Sequence, residues 1–148
     1  MSAVIRQGRY QGLTGNGVTE YRGIPYALPP LGEHRFKAPR PLPEGDNAVA
    51  ADHYPQPSLQ MKNPLMGVNE SSEDCLYLNI WVPEGEGPFP VMVWFHGGAY
   101  LAGSISQPLY NGAELARSQR VVVVNAAYRL GAMGFADFTA VRVYNMAS

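Results

Sequence analysis

The sequence predicts an α/β fold with a mostly parallel central sheet, and three stretches carry that prediction. Val91-Met92-Val93-Trp94-Phe95 is a five-residue apolar run with the length and composition of a strand buried on both faces. Val121-Val122-Val123-Val124 is a second run of the same kind. Between them, Tyr110 to Ser118 reads as a short helix, with Asn111 as its cap and Leu115 and Ala116 as its apolar contacts. Strand, helix, strand is a βαβ unit, which joins parallel strands through a right-handed crossover.

The segments before this unit read differently. Val4-Ile5 through Tyr10 and Val18 through Ile24 are short β-leaning runs on either side of Gly15-Asn16-Gly17. Asparagine and glycine tolerate the positive φ of a tight turn, so an antiparallel β-hairpin is expected. Gly15 and Gly17 do not begin a dinucleotide loop, because the third glycine position holds Glu20 and no helix follows. Nine of the 13 prolines fall between Pro25 and Pro64, which excludes long helix or central strand there. From Asp46 to Asn69 no periodicity is visible, and a surface loop or disorder is expected. Leu76, Leu78, Ile80 and Val82 then alternate with Tyr77, Asn79 and Trp81, the period of a strand. Pro83 to Pro88 ends it as a turn.

Composition narrows the function. At 148 residues one domain is the natural expectation. The net charge of −1 suggests neither nucleic acid nor an acidic membrane as partner. No apolar run is long enough to span a bilayer, and Met1 to Gly12 does not read as a secretory signal. The single cysteine, Cys75, excludes a disulfide within the chain. His34, His53 and His96 show no metal-ligand spacing, and nothing implies a cofactor.

The chemistry concentrates where the first apolar run meets His96-Gly97-Gly98-Ala99-Tyr100. In open α/β sheets ligands bind outside strand ends. Backbone N–H groups there can hold an oxygen that is gaining negative charge, provided no side chain blocks the approach. A Gly-rich turn with no chemistry is the plainer reading of the same residues.

Five motifs in order settle that choice: Gly23-Ile24-Pro25-Tyr26-Ala27; Pro29-Pro30 with Gly32 and Arg35-Phe36; Ser72-Glu73-Asp74-Cys75-Leu76-Tyr77-Leu78-Asn79; Val91 to Tyr100; and Tyr128-Arg129-Leu130-Gly131 with Gly134-Phe135. Together they resemble the N-terminal part of the type B carboxylesterases, the family of the cholinesterases and the bacterial para-nitrobenzyl esterases, with the bacterial branch the nearer. The resemblance runs from the first hairpin to about Phe138. It implies an α/β-hydrolase fold and a Ser-Glu-His triad that cleaves carboxylic esters through an acyl-enzyme. It makes the N–H groups of Gly98 and Ala99 oxyanion-hole donors, and a small carboxylic ester the substrate. Tyr100 and Leu101 become candidate substrate-binding residues, with ordinary packing equally open. Arg35 and Glu73 become a structural ion pair.

The departures from the family are informative. The family's nucleophile lies in Gly-x-Ser-x-Gly, and no such pattern occurs in the 148 residues. Ser104 follows Gly103, but Gln107 stands where the closing glycine would be counted, and no helix pattern surrounds it. None of the three histidines matches the family's catalytic one. The expectation is an incomplete α/β-hydrolase domain over 1–148, truncated before the nucleophile elbow, with an atypical tail over 141–148, inactive and poorly folded by itself. An unpaired Cys75, which pairs in secreted relatives, fits a reducing, cytoplasmic setting. The alternative is a non-catalytic binding or adhesion homologue of the same fold. Oligomeric state and acyl or alcohol preference stay open.

Overall fold

The computed structural model describes residues 2–5, 7–64 and 68–137, with side chains from Gln7 onward. The expected tail over 141–148 lies outside the described residues.

Among the described residues, eight strands form two sheets. β1 (Ser2–Ile5) and β2 (Gly8–Gln11) make an antiparallel hairpin, and β5 (Ala48–Ala50) adds to β2 in parallel. The larger sheet has the order β3-β4-β6-β8-β7, from β3 (Leu13–Gly15), β4 (Val18–Pro25), β6 (Tyr77–Pro83), β7 (Val91–Phe95) and β8 (Val122–Ala126). It is mixed: β7 and β8 pair in parallel, and the other neighbours pair antiparallel. Helix α1 (Ala113–Gln119) links β7 to β8, so the expected βαβ unit is present. A short helix, α2 (Gly131–Phe135), follows β8.

The first hairpin differs from expectation. Asn16 and Gly17, at φ 52° and 78°, turn the chain between β3 and β4, with Gly15 opposite Val18. The run from Val4 to Tyr10 is not part of that hairpin but folds as β1 and β2. Gly12 explains the break: a Cβ there would lie 2.6 Å from the Glu20 carbonyl oxygen and against the Tyr21 ring. Only glycine lets the chain cross β4 so closely.

The strand Val91–Phe95 also departs from the reading as doubly buried. It is the edge of the larger sheet, and its five side chains are 36% to 63% exposed. One edge pairs with β8, from Val91 opposite Val122 to Phe95 opposite Ala126, and the other edge pairs with no described strand. The described residues of the segment 46–69 are likewise placed by their contacts rather than by periodicity. Besides β5, it buries Ala51, Ser58 and Val68, and Ser58 bridges to Ser72.

The core lies on both faces of β6. On one face Trp81 packs with Val18, Val123 and Ala116 of α1, all buried. On the other, Leu78, Ile80 and Val82 pack against Tyr10, Tyr21, Ile24 and Ala51. Asn79 and Asn125, opposite one another in the β6·β8 register, are also buried. Asn79 accepts from the Gly23 N–H at 3.0 Å and donates to the Ile105 carbonyl at 3.1 Å; Asn125 donates to the Tyr110 carbonyl at 2.6 Å. Buried amides need such partners. The two acceptors are the Ile105 and Tyr110 carbonyls, so the pair ties the 105–110 segment to the sheet.

α1 starts at Ala113, three residues after the expected start at Tyr110. Pro108–Tyr110 forms a 3-10 turn and Gly112 occupies the cap position. Asn111, one residue before the cap, does not take the expected cap position; its side chain accepts from the Ala113 N–H at 2.9 Å in an Asx-type turn that leads into the helix.

Candidate active site

The β7 chain leaves the sheet at Phe95 and turns sharply. Gly98 has φ 126°, a region that L side chains rarely adopt. A Cβ at Gly98 would stand 1.8 Å from the Ala102 carbonyl oxygen. The turn closes because the Leu101 and Ala102 N–H groups both donate to the Gly98 carbonyl, at 3.0 and 3.1 Å. Ala99 and Tyr100 continue at φ 52° and 62°. Two successive non-glycine residues with positive φ are costly, and such strain collects at ligand-binding loops.

This geometry leaves the expected donors open. Gly98 and Ala99 are exposed, and neither N–H has an acceptor among the described residues. Tyr100 and Leu101 are 61% and 68% exposed. With Ala99, Gly131, Ala132 and Phe135 they line an open hollow of about 410 Å³ beside the loop. The Tyr100 and Phe135 rings meet at 4.6 Å between centroids, and the Gly131 N–H donates to the Tyr100 carbonyl at 2.7 Å. An apolar wall beside two backbone donors suits a small molecule with a carbonyl group and an apolar substituent.

Tyr128 and His96 support the loop from behind. His96 is buried, its Nδ1 2.9 Å from the Gly97 carbonyl oxygen, and its ring stacks on Tyr128 at 4.5 Å. The Tyr128 hydroxyl donates to the His96 carbonyl at 2.6 Å. Burial holds the imidazole pKa below its ordinary value, and the Gly97 carbonyl offsets only part of that. These contacts make His96 a loop-shaping residue. Gly103 closes the loop against it: a Cβ there would lie 2.3 Å from His96 Nδ1.

Other expected residues stand apart from this loop. Arg35 Nε lies 2.8 Å from Glu73 Oε2, half-exposed, in a surface ion pair. Asp74 accepts from the Tyr77 hydroxyl at 3.0 Å. Ser104 is buried, and its hydroxyl accepts from the Ser106 N–H at 3.0 Å. Arg129 donates to the Lys37 carbonyl at 2.8 Å. Cys75 is free and buried, and burial raises its thiol pKa. Among the described residues no group of three or more His, Cys, Asp or Glu could hold a metal ion. No described helix is long and apolar enough to cross a membrane.

Two residues at the loop gave no usable signal in the sequence. Phe135 stood in a motif without an assigned role. Gln60 lies in the segment without periodicity, yet its amide reaches the loop: Gly103 N–H donates to Gln60 Oε1 at 2.9 Å, and Gln60 Nε2 donates to the Gly103 carbonyl at 2.7 Å.

Known proteins resemble this chain in sequence and fold. The model of the carboxylesterase family matches residues 3–143. The para-nitrobenzyl esterase of Bacillus subtilis is 45% identical over 133 residues, covering 86% of this chain and 27% of that protein. A mouse cholinesterase is 42% identical over 90% of this chain and 24% of its own length. A solved thermophilic PNB esterase superposes with a TM-score of 0.88 at 40% identity, over 94% of this chain and 30% of that one. The chain thus spans between about a quarter and a third of the length of these relatives.

Proposed function

The chain belongs to the carboxylesterase family, and from that premise we propose that it supplies the oxyanion-binding part of a carboxylic-ester hydrolase. The substrate's carbonyl oxygen gains negative charge as a tetrahedral intermediate forms. The Gly98 and Ala99 N–H groups donate to that oxygen, and a third donor comes from the residue after the nucleophile. A serine attacks the carbonyl carbon, a histidine takes the serine proton and returns it to the leaving alcohol, and a glutamate orients the histidine. No Gly-x-Ser-x-Gly occurs among these 148 residues, so on this reading they do not supply the nucleophile and are expected not to turn over esters by themselves. Each donor contributes about 3–4 kcal/mol of transition-state stabilisation by analogy with other oxyanion holes. The hollow beside Tyr100, Leu101 and Phe135 takes an apolar acyl or aryl group.

The observation that carries this reading is the pair of exposed N–H groups at Gly98 and Ala99, without an acceptor among the described residues and held at a strand end by a strained turn. The test is a graft: residues 3–137 replace the matching N-terminal stretch of the Bacillus subtilis para-nitrobenzyl esterase. The graft is expected to hydrolyse p-nitrophenyl acetate. A folded, monodisperse graft that gives no turnover above a heat-inactivated control refutes the proposal.

A further inference from the structure

We propose that Gln60 is a positioning residue for the oxyanion loop, acting through Gly103; this rests on the role assigned to Gly98 and Ala99. The Gln60 amide pairs with both backbone groups of Gly103, accepting from its N–H at 2.9 Å and donating to its carbonyl at 2.7 Å. The second amide proton goes to the Ser58 carbonyl at 2.9 Å, so acceptor and both donors are in use. The Gln60 backbone is itself fixed by Ser71, whose hydroxyl donates to the Gln60 carbonyl at 3.2 Å and accepts from the Gln60 N–H at 3.3 Å. The clamp therefore has a firm base.

Its far end is equally constrained. Gly103 has φ 123° and no room for a Cβ, because the His96 ring and the Gly97 carbonyl oxygen fill that space. Gly103 is thus wedged against the two residues that precede Gly98. On its other side, Ala102 donates to the Gly98 carbonyl. A shift of Gly103 must pass into both ends of the turn, since neither end has slack. The loop cannot be held from its outer side by a described strand, because β7 is the sheet edge. Gln60 supplies a restraint of its own, from a segment 43 residues away in sequence.

The test uses the full chain and amide exchange read residue by residue. In Gln60→Met, which keeps side-chain length and loses both bonds, the Leu101 and Ala102 amides are expected to exchange about ten to a hundred times faster, while the β8 amides of Val123 to Asn125 keep their rates. The Gly98 and Ala99 amide resonances should shift in the same variant. In Gln60→Glu the ionised carboxylate offers no donor to the Gly103 carbonyl, but the protonated acid restores both bonds. Loop protection in Gln60→Glu, taken relative to the parent chain at the same pH, should recover as pH falls through about 4.3. A residue that merely fills space would show no such recovery. Unchanged loop exchange in Gln60→Met, or an equal rise in β8, overturns the proposal, as does Gln60→Glu without recovery. Neither readout requires turnover, so an inactive graft would sink the esterase reading while leaving this result to stand or fall separately.

Discussion

Replacing Gly98 by alanine tests the oxyanion reading at its narrowest point. The new Cβ would lie 1.8 Å from the Ala102 carbonyl oxygen and 2.6 Å from its carbonyl carbon, where ordinary contact begins at 3.4 Å. Both atoms are backbone, so no side chain can swing aside. The chain must open by about 1.6 Å at this contact, and φ 126° penalises any side chain even before the clash. Opening removes the Leu101 and Ala102 hydrogen bonds to the Gly98 carbonyl and carries the neighbouring N–H groups with it. Oxyanion donors act only within about 2.7–3.1 Å of the developing charge, so a displacement near 1 Å forfeits at least one. The expected loss is about 3–4 kcal/mol, or roughly 10²- to 10³-fold in kcat. The assay is p-nitrophenyl acetate hydrolysis by the graft, with kcat and KM resolved and the melting temperature measured in parallel. KM should change little, because the loss falls on the transition state. Gly97→Ala is the control for folding: nothing lies within 4 Å of a Cβ there, and its melting temperature should match the parent's. A Gly98→Ala graft that keeps kcat within about threefold of the parent would refute the reasoning.

Three further outcomes follow from the same contacts. The His96 pKa is lowered in the folded state, chiefly by burial, so the unfolded chain binds the proton more readily; stability should be full above about pH 6.5 and be lost as pH falls from there through the folded value, and His96→Gln should flatten that slope in denaturant titrations at pH 8 and pH 5.5. Trp81 is 1% exposed between Val18, Val123 and Ala116, so Trp81→Ala should cost about 3–5 kcal/mol; a loss under 1 kcal/mol by denaturant unfolding of the graft would contradict this packing. The edge strand β7 exposes Val93 at 52%, and Val93→Lys should raise the monomer fraction of the 148-residue chain in light scattering; unchanged association would place the sticky surface elsewhere.

How much of this could be read from the sequence depended on the distance over which each feature is determined. The βαβ unit was legible because apolar runs and a helix between them are local signals, although the cap falls on Gly112 and Asn111 makes an Asx-type turn just before it. The turn at Asn16-Gly17 was legible for the same reason, but its partner strand was not. That partner is decided by Gly12 crossing β4, a steric fact between residues distant in sequence. The Val91–Phe95 run is legible as a strand, and an exposed edge is expected of it where no further strand packs beside it; only the reading as buried on both faces fails. Apolar composition reports what a strand can be buried against, and the described chain supplies β8 on one side alone. The site divides in the same way. Gly97, Gly98 and Ala99 announce an open backbone, whereas Gln60 is one amide in a stretch without periodicity, and only the fold brings it to Gly103.

The position of the loop on an edge strand separates two requirements of the proposed chemistry. Among the described residues the loop is shaped by Tyr128 against His96, Gly131 on the Tyr100 carbonyl, and Gln60 on Gly103. No described strand pairs with the free edge of β7. The anion-holding half of the site can therefore reach its geometry before any element pairs with that edge. A nucleophile delivered from the free side would then meet donors already aimed, which lowers the reorganisation needed at the moment of reaction. The arrangement carries a cost in the same residues. Val91, Val93 and Phe95 are more than half exposed along an edge with no described partner strand, and the surface on which the proposed chemistry would receive its nucleophile is also the surface most open to self-association.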